Sequence, residues 1–207
     1  MIAPDAFREA LRARRSVRNY QPRPVPRVIL EELLTAATWA PSAGNRQDWE
    51  FVVVDAGERI ARLATAVKAR WEELVRTAPE GAVAEALAGY RTNFDWFDQA
   101  PVVVVVTARK PEAFLSAVLG EQAPAVYGSL VSAAMAAQNL LLAASAAGLG
   151  ACCLTGPLAA SEPLRQELGL GPRREPVCLV TLGYPATQNA PPPRSRKPLS
   201  SVARFLP

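Results

Sequence analysis

Histidine is missing from this chain, and cysteine is scarce and poorly spaced for chemistry. None of the 207 residues is histidine, which excludes a Ser-His-Asp triad, a Cys-His dyad and a zinc site of the His-Glu-x-x-His type. The three cysteines are Cys152, Cys153 and Cys178, and they form no Cys-x-x-Cys motif. All three lie in apolar stretches, which predicts buried thiols in a cytoplasmic protein without disulfides. If the chain is an enzyme, a cofactor is the natural carrier of the chemistry.

Acidic residues are absent from one end of the chain and sparse at the other. The first thirty residues hold seven arginines against two acids, and residues 190–207 hold four basic residues and no acid. The net charge of +4 is therefore concentrated at the two ends. Such clusters suit an anionic partner, which can be nucleic acid, a membrane surface or a phosphorylated cofactor. Arginine favours bidentate phosphate contacts, although a coding bias toward arginine is the simpler explanation.

Charge is also absent from a long apolar segment, residues 123–149. This segment is rich in alanine, glycine and serine, and Gln138 and Asn139 lie near its middle. A membrane-spanning helix needs about 20 strongly apolar residues. We therefore expect a helix buried inside the protein or in a dimer, and no membrane partner. The N-terminal residues have an amphipathic pattern without the apolar centre of a signal peptide.

The pattern of apolar residues predicts a single domain over residues 1–207, of class α+β. The valine run between Pro101 and Thr107 predicts a strand that is buried on both faces. The proline-rich tail, residues 190–207, has no core of its own, so we expect it to pack on a partner subunit. The predicted helices span residues 4–14, 26–39, 57–76, 80–90, 125–147 and 161–168, and the predicted strands span residues 51–54, 101–107, 151–154 and 177–182.

Two basic motifs near the chain ends are candidate phosphate sites. Residues 14–18 combine three guanidinium groups with a serine hydroxyl, and these can grip the oxygens of a phosphate monoester. A solvated basic helix end is the simpler alternative for this motif. A second basic motif in the tail can close the same site from the other side. The candidate residues are Arg14, Arg15, Ser16, Arg18, Arg194 and Arg196.

Two loops are candidates for contacts with a flat ring. Residues 41–51 form a loop of small and polar residues that leads into a strand, and small side chains let a ring approach the backbone. Asn45 and Gln47 can pair with the edge of a heterocycle, or they can satisfy a tight turn. The Gly-x-Gly at residues 148–150 follows a helix, which excludes a dinucleotide-binding fingerprint. Gly156, after a short strand, can present a free backbone N–H to a ligand.

Together, these four motifs resemble the nitroreductase family of FMN enzymes over nearly the whole chain. The family's R-[RH]-S-x-[RK] element matches residues 14–18, and its P-S-x-x-N-x-Q-P-W-x-F loop matches residues 41–51. Its long helix with Q-N-L-L-L-A-A and a final G-L-G matches residues 138–150, and its R-x-R/K-x-P-L tail matches residues 194–199. Asp48 stands where proline is usual and Ser132 stands where many members carry an acid. Thr155 matches a position that varies in the family, so the resemblance does not fix the substrate preference.

The resemblance implies a central, mostly antiparallel sheet flanked by helices in an intertwined homodimer. It implies that NAD(P)H reduces bound FMN, which then reduces a nitroaromatic, a quinone or a similar acceptor in a ping-pong cycle. The flavin would carry the chemistry, with no catalytic side chain and no metal.

The resemblance also implies a role for each candidate residue. The FMN phosphate and ribityl chain would contact Arg14, Ser16 and Arg18, with Arg15 close by and with Arg194 and Arg196 completing the clamp. The ring would be lined from the other subunit by Pro41, Ser42, Ala43 and Asn45, with Gln47 supporting their loop. Thr155 and Gly156 would offer backbone groups near the reactive nitrogen of the central ring.

Three alternatives remain open at this point. The same fold can host reductive dehalogenation, ene reduction or flavin fragmentation, and a lid at about residues 111–124 would discriminate among them. A nucleic-acid-binding protein would interleave aromatic residues with its arginines, but only Tyr20 and Phe205 lie near the clusters, so we expect no nucleic-acid partner. A flavin-binding protein without turnover would fail to oxidise NAD(P)H. Asn93 is the nearest candidate for a further polar flavin contact and is not included in the site.

Overall fold

A four-stranded sheet forms the centre of the computed structural model, which describes residues 3–79, 81–110, 118, 124–187 and 195–206. The strands are β1 (Trp49–Val54), β2 (Val102–Arg109), β3 (Gly150–Leu154) and β4 (Arg174–Gly183). They lie in the order β1-β2-β4-β3, and every neighbouring pair is antiparallel. The predicted α+β class and antiparallel sheet are confirmed.

Strand β2 is the buried centre of this sheet. Its residues from Val102 to Ala108 are all buried, as the valine run predicts. The pairing with β4 shifts between Val106 and Thr107, and Thr107 lies opposite Pro176. Because proline lacks the N–H that a ladder needs, it is tolerated in a strand mainly at edges and irregularities of this kind. Strand β4 consequently begins before the proline, at Arg174, and the predicted start at residue 177 is three residues late.

Helices cover both faces of the sheet. On one face, α2 and α5 pack on a core that includes Val104, Val106 and Val180. On the other face, α3 and α6 pack on a second core that includes Val103, Val105 and Leu179. The described helices are α1 (Pro4–Ala13), α2 (Arg27–Thr38), α3 (Gly57–Thr77), α4 (Ala82–Arg91), α5 (Pro124–Ala146) and α6 (Ser161–Leu168), all within a few residues of the predicted spans.

Helix α5 leaves an apolar stripe uncovered in the single chain. Tyr127, Val131 and Met135 are spaced four residues apart, so they lie on one face, and they are 52%, 48% and 43% exposed. By length and composition, the described residues contain one helix that could cross a membrane, Tyr127–Ala146. In its most apolar stretch, 44% of the residues are buried in the protein. The opposite face of α5 carries fully buried residues such as Ala133 and Leu140. One face of α5 therefore packs in the core, and the opposite face exposes apolar side chains in the single chain.

Candidate functional site

The segment after α1 runs alongside the edge strand β3. The N–H of Val17 donates to the carbonyl oxygen of Ala151 at 3.0 Å, and Ser16 forms a parallel bridge with the same residue. The contact is close because residue 150 is glycine: a Cβ there would lie 2.6 Å from the Val17 side chain. The first basic motif is therefore held against the sheet by backbone bonds.

Alternate side chains of this segment face opposite sides. Burial raises the pKa of Cys152, and the charge of Arg18, a hydrogen bond with Ser16 and the charge of Arg14 oppose that rise. Ser16 pairs with Ala151 on β3, and side chains alternate along an extended segment, so Arg14, Ser16 and Arg18 share one side. Neither arginine forms an ion pair within the described part of the chain. Two unpaired guanidinium groups and an exposed serine fit an anionic group.

Arg15 faces the other way. It lines a cavity of about 830 Å³ together with Arg12 and Arg23. The guanidinium of Arg23 lies 3.9 Å from the centre of the Tyr184 ring, which is a cation–π contact. The structure therefore brings together three of the four basic-motif residues expected at the phosphate and separates Arg15 from them.

Tyr20 ties the segment to the sheet, and its role was not expected from the sequence. Its hydroxyl donates to the carbonyl oxygen of Val17 at 2.6 Å and lies 2.7 Å from Oγ1 of Thr181. Thr181 is fully buried and donates in turn to the carbonyl oxygen of Cys152 at 3.3 Å. Burial raises the pKa of Tyr20 far above its usual range, so the hydroxyl remains a donor at all ordinary pH values.

Cysteine exposure differs from the expectation at one position. Cys152 and Cys178 are buried, but Cys153 is exposed. It lies on the edge strand β3, next to Cys152 but on the opposite face of the strand. A hydrogen bond with Cys178 is the main cause that lowers the pKa of Cys153, and the charge of Arg14 adds to it against burial. The prediction of three buried thiols is therefore wrong for Cys153, because an edge strand has one side without a neighbour.

The turn after β3 is held from its buried side. Nε1 of Trp71 donates to the carbonyl oxygen of Gly156 at 3.1 Å. Among the described residues, no backbone oxygen accepts a hydrogen bond from the Gly156 N–H, and Thr155 is exposed. No backbone partner of the Gly156 N–H therefore lies among the described residues, and its contact with a ligand stays a prediction.

The small-residue loop adopts a tightly wound backbone before β1. Gly44, Asn45 and Gln47 have φ angles of 60°, 51° and 50°, in the left-handed region. Asn tolerates this region better than Gln does, so the loop must be held by its surroundings. The Ser42 hydroxyl accepts from the Gln47 N–H at 3.1 Å, and the Gln47 amide donates to Oδ1 of Asn45 at 3.3 Å. Gln47 thus supports the loop internally.

Two departures from the family pattern help to hold this loop: Asp48 belongs to it, and Ser132 contacts it from α5. The Ser132 hydroxyl on α5 accepts from the Ala43 N–H at 3.2 Å. Oδ2 of Asp48 accepts from Nε of Arg46 at 2.8 Å and from the Ser129 hydroxyl at 3.1 Å. Burial by itself would raise the pKa of Asp48, but these hydrogen bonds outweigh it and lower the pKa below its usual value. Asp48 therefore fixes the loop by hydrogen bonds, at the position where other family members usually carry a proline.

The loop and the N-terminal segment lie far apart within one chain. The loop precedes β1, at one edge of the sheet, whereas Ser16 lies beside β3, at the other edge. The register places Trp49 level with Glu175, and Ala151 level with Leu182. Trp49 and Ala151 are therefore seven residues apart along the strands, which is roughly 23 Å, and three strands apart across the sheet, which is about 14 Å. A single chain does not bring these two parts of the expected site together.

The tail is described only in part. Arg194 lies outside the described residues. Arg196 is exposed, and its Nη1 donates to the carbonyl oxygen of Ser195 at 3.2 Å. The apolar residues Leu199, Val202 and Phe205 are also exposed, at 67%, 65% and 86%. The expected lid, residues 111–124, lies almost wholly outside the described residues.

The chain is similar in sequence to several known proteins. The nitroreductase family model matches residues 11–184. The 4-nitrobenzoate reductase of Nocardioides sp. (strain LMS-CY) is 30% identical, covering 98% of this chain and 90% of that protein. The iodotyrosine deiodinase of Hydra vulgaris is 27% identical, covering 95% of this chain and 71% of that protein.

A solved structure shows the same fold. The FMN and NADPH-dependent nitroreductase NfnB from Sphigopyxis sp. strain HMH superposes with a TM-score of 0.71 at 25% identity, covering 97% of this chain and 98% of that chain. The family match runs from the end of α1 to the end of β4, so it includes the basic segment at residues 14–18, the loop before β1 and the turn at Gly156. The chain belongs to the nitroreductase family.

Proposed function

We propose that this chain binds FMN at the edge of β3 and uses it to pass electrons from NAD(P)H to nitroaromatic or quinone acceptors. Membership of the nitroreductase family makes the chain an NAD(P)H-dependent flavin oxidoreductase. The observation that carries the proposed site is the pairing of Ser16 with β3, which puts Arg14, Ser16 and Arg18 on one side of the segment, with no ion pair to either arginine among the described residues. Two guanidinium forks and a hydroxyl match a phosphate monoester.

The phosphate end is completed by the tail in this proposal. Arg194 and Arg196 add two guanidinium groups, and the exposed Arg196 is free to turn toward a ligand. Arg15 takes no direct part, because it lines the cavity on the other side of the segment. The ring then lies toward Thr155 and Gly156, where the unpaired N–H supplies a donor. The donor set fits FMN because it has cations at one end and a backbone donor at the other.

The active unit is a homodimer in this proposal. Pro41, Ser42, Ala43 and Asn45 line the ring of the partner's flavin, because the register keeps them far from Ser16 in their own chain. The exposed stripe on α5 and the exposed apolar tail need a cover, and a second copy supplies one with two-fold symmetry.

The chain's own residues bind and orient, and none of them has to transfer a proton. FMN, when bound, supplies the two-electron chemistry between NAD(P)H and the acceptor. The arginines hold the phosphate end, and the Gly156 N–H donates toward the ring. The small side chains of the loop leave room for a second planar molecule to stack over the ring. Donor and acceptor then use the same open face in turn.

The visible spectrum and the turnover of purified protein test the proposal. We expect flavin absorption, release of FMN rather than FAD on denaturation, and NADPH or NADH oxidation that is stimulated by 4-nitrobenzoate. A colourless protein that cannot be reconstituted with FMN would refute the site. Bound FMN without any NAD(P)H oxidation would identify a flavin carrier and would remove the enzymatic part.

Reductive deiodination is the second candidate function. The observation in its favour is the 27% identity to an iodotyrosine deiodinase across 95% of the chain. Iodide release from iodotyrosine by the chemically reduced protein discriminates the two candidates. Iodide release faster than nitrobenzoate reduction would replace the nitroreductase assignment while leaving the FMN site intact.

Complementation between two inactive variants tests the shared site. One variant carries Arg14→Ala and Arg196→Ala and lacks the clamp, and the other carries Ser42→Trp and blocks the loop. Each homodimer should be inactive, but co-refolded heterodimers should regain one working site. Heterodimers that bind no flavin, beside wild-type protein that survives the same refolding, would show that the site is built within one chain.

A further inference from the structure

Trp71 makes an unusual contact with the turn at the end of β3. It lies on α3 and is only 5% exposed, and its indole N–H donates to the carbonyl oxygen of Gly156, 85 residues further along the chain. This bond reaches through the core layer on one face of the sheet to the turn that carries Thr155. A buried donor of this kind costs stability when it loses its acceptor, so the bond holds the turn against α3.

Phe94 holds the same glycine from a second direction. A Cβ on Gly156 would overlap the Phe94 ring, so the ring occupies the space that any side chain would need. Phe94 is 1% exposed and packs on Trp71, with 5.1 Å between the ring centres. Pro157 follows and restricts the backbone of Gly156 further. Gly156 is thus fixed at its carbonyl group, at its α carbon and on its C-terminal side.

We propose that Trp71 is a positioning residue, which acts through Gly156 to aim the Gly156 N–H at the central ring of the flavin. This inference rests on the proposed function, which places that ring beside Thr155 and Gly156. Trp71 touches neither cofactor nor substrate. Its indole N–H holds the carbonyl group of Gly156, and the Phe94 ring lies against the α carbon of Gly156 and limits rotation of the backbone there.

The position of such a donor matters because its effect depends on fixed geometry. A preorganised N–H stabilises the charge that develops at a reacting centre without reorganising when the charge appears. Gly156 begins a short 3-10 helix, Gly156–Ala160, so loss of the indole N–H removes the bond that joins the start of this helix to α3, and the turn is then free to shift. The N–H of the same residue moves with it, so its alignment with the ring is lost although FMN remains bound.

The test compares two tryptophan-to-phenylalanine variants of the FMN-loaded protein. Trp71→Phe removes the bond to Gly156. Trp96→Phe is the matched control, because its Nε1 also donates to a backbone carbonyl, that of Asn93 at 2.9 Å, but it does not contact Gly156. The readouts are the flavin midpoint potential, the FMN dissociation constant, and kcat and KM for NAD(P)H.

In Trp71→Phe, the equilibrium between oxidised and reduced flavin should shift about tenfold toward the oxidised form. This shift corresponds to a two-electron midpoint potential about 30 mV lower than that of the wild type. It should also lower kcat while KM and the FMN dissociation constant stay near the wild-type values. Trp96→Phe should match wild type in all four. A merely structural role for Trp71 would lower thermal stability without shifting the potential.

Phe94→Leu is the second variant, and it decides the matter if Trp71→Phe does not fold. It keeps an apolar side chain in the core but removes the ring edge that blocks Gly156, so it should lower the potential in the same direction. Folded variants with the wild-type potential would overturn the positioning role while leaving the FMN site intact. Failure of the wild-type protein itself to bind FMN would instead refute the proposed function.

Discussion

Replacing Tyr20 with phenylalanine removes one hydroxyl that ties the basic segment to the sheet. That hydroxyl contacts the carbonyl oxygen of Val17 at 2.6 Å and Oγ1 of Thr181 at 2.7 Å. Thr181 keeps its bond to Cys152, but the Val17 carbonyl loses this donor. Removal of one partner from a buried pair costs about 1–3 kcal/mol, so we expect a loss of that order in the free energy of unfolding.

The pH dependence of this loss provides a signature that packing alone would not give. Burial raises the folded-state pKa of Tyr20 above the unfolded value of about 10. The contribution of Tyr20 is therefore fully present below about pH 10 and is lost as the pH rises further. The difference in stability between wild type and Tyr20→Phe should shrink between neutral pH and pH values above 10.

Urea unfolding at neutral and alkaline pH measures both effects. Tyr90→Phe is the matched control, because Tyr90 is 46% exposed and packs on Trp71 through its ring. The control should lose little free energy of unfolding. Equal losses for the two variants, or a Tyr20→Phe loss that is the same at all pH values, would refute the tethering argument.

Three further predictions concern the clamp, the loop and the kinetics. Arg196→Ala should weaken FMN binding by about 1.5–3 kcal/mol without changing the midpoint of unfolding, and Arg204→Ala in the same tail is the control; unchanged affinity in equilibrium dialysis would exclude Arg196 from the clamp. Because the pKa of Asp48 is lowered in the folded state, its contribution to the free energy of unfolding is present above the unfolded-state pKa of about 4 and is lost as the pH falls. Asp48→Asn should therefore make the free energy of unfolding less dependent on pH in the acid range. An unchanged pH dependence in urea titrations would contradict this. Steady-state kinetics should give parallel double-reciprocal lines, since donor and acceptor use one face in turn, and intersecting lines would contradict the shared face.

Elements whose burial is set by their own sequence were predictable. The valine run indicated a strand buried on both faces, and β2 has that burial because it pairs with β1 and β4 and is covered by helices on both sides. The uncharged segment predicted a helix over residues 125–147, and α5 spans Pro124–Ala146. In both cases composition and periodicity report directly on the environment of the side chains.

Side-chain directions around the candidate site were not predictable to the same extent. Residues 14–18 read as one basic cluster, but the extended backbone sends Arg15 to the opposite side from Arg14 and Arg18. The alternation follows from strand geometry, yet the sequence does not say that this short segment pairs with β3. The contacts of Trp71 and Phe94 with Gly156 come from distant parts of the chain, and no local pattern indicates them.

The absence of histidine and the form of the site have a common explanation. Hydride transfer needs orientation and a fixed electrostatic environment, and it needs no side chain that gains or loses a proton. Backbone groups and guanidinium ions meet that need, because neither changes its protonation state in the physiological range. Their positions must then be fixed by buried partners, which here are the Tyr20 hydroxyl below the basic segment and the Trp71 indole below Gly156. Substitution of these two residues should therefore disturb the flavin more than substitution of any exposed acid.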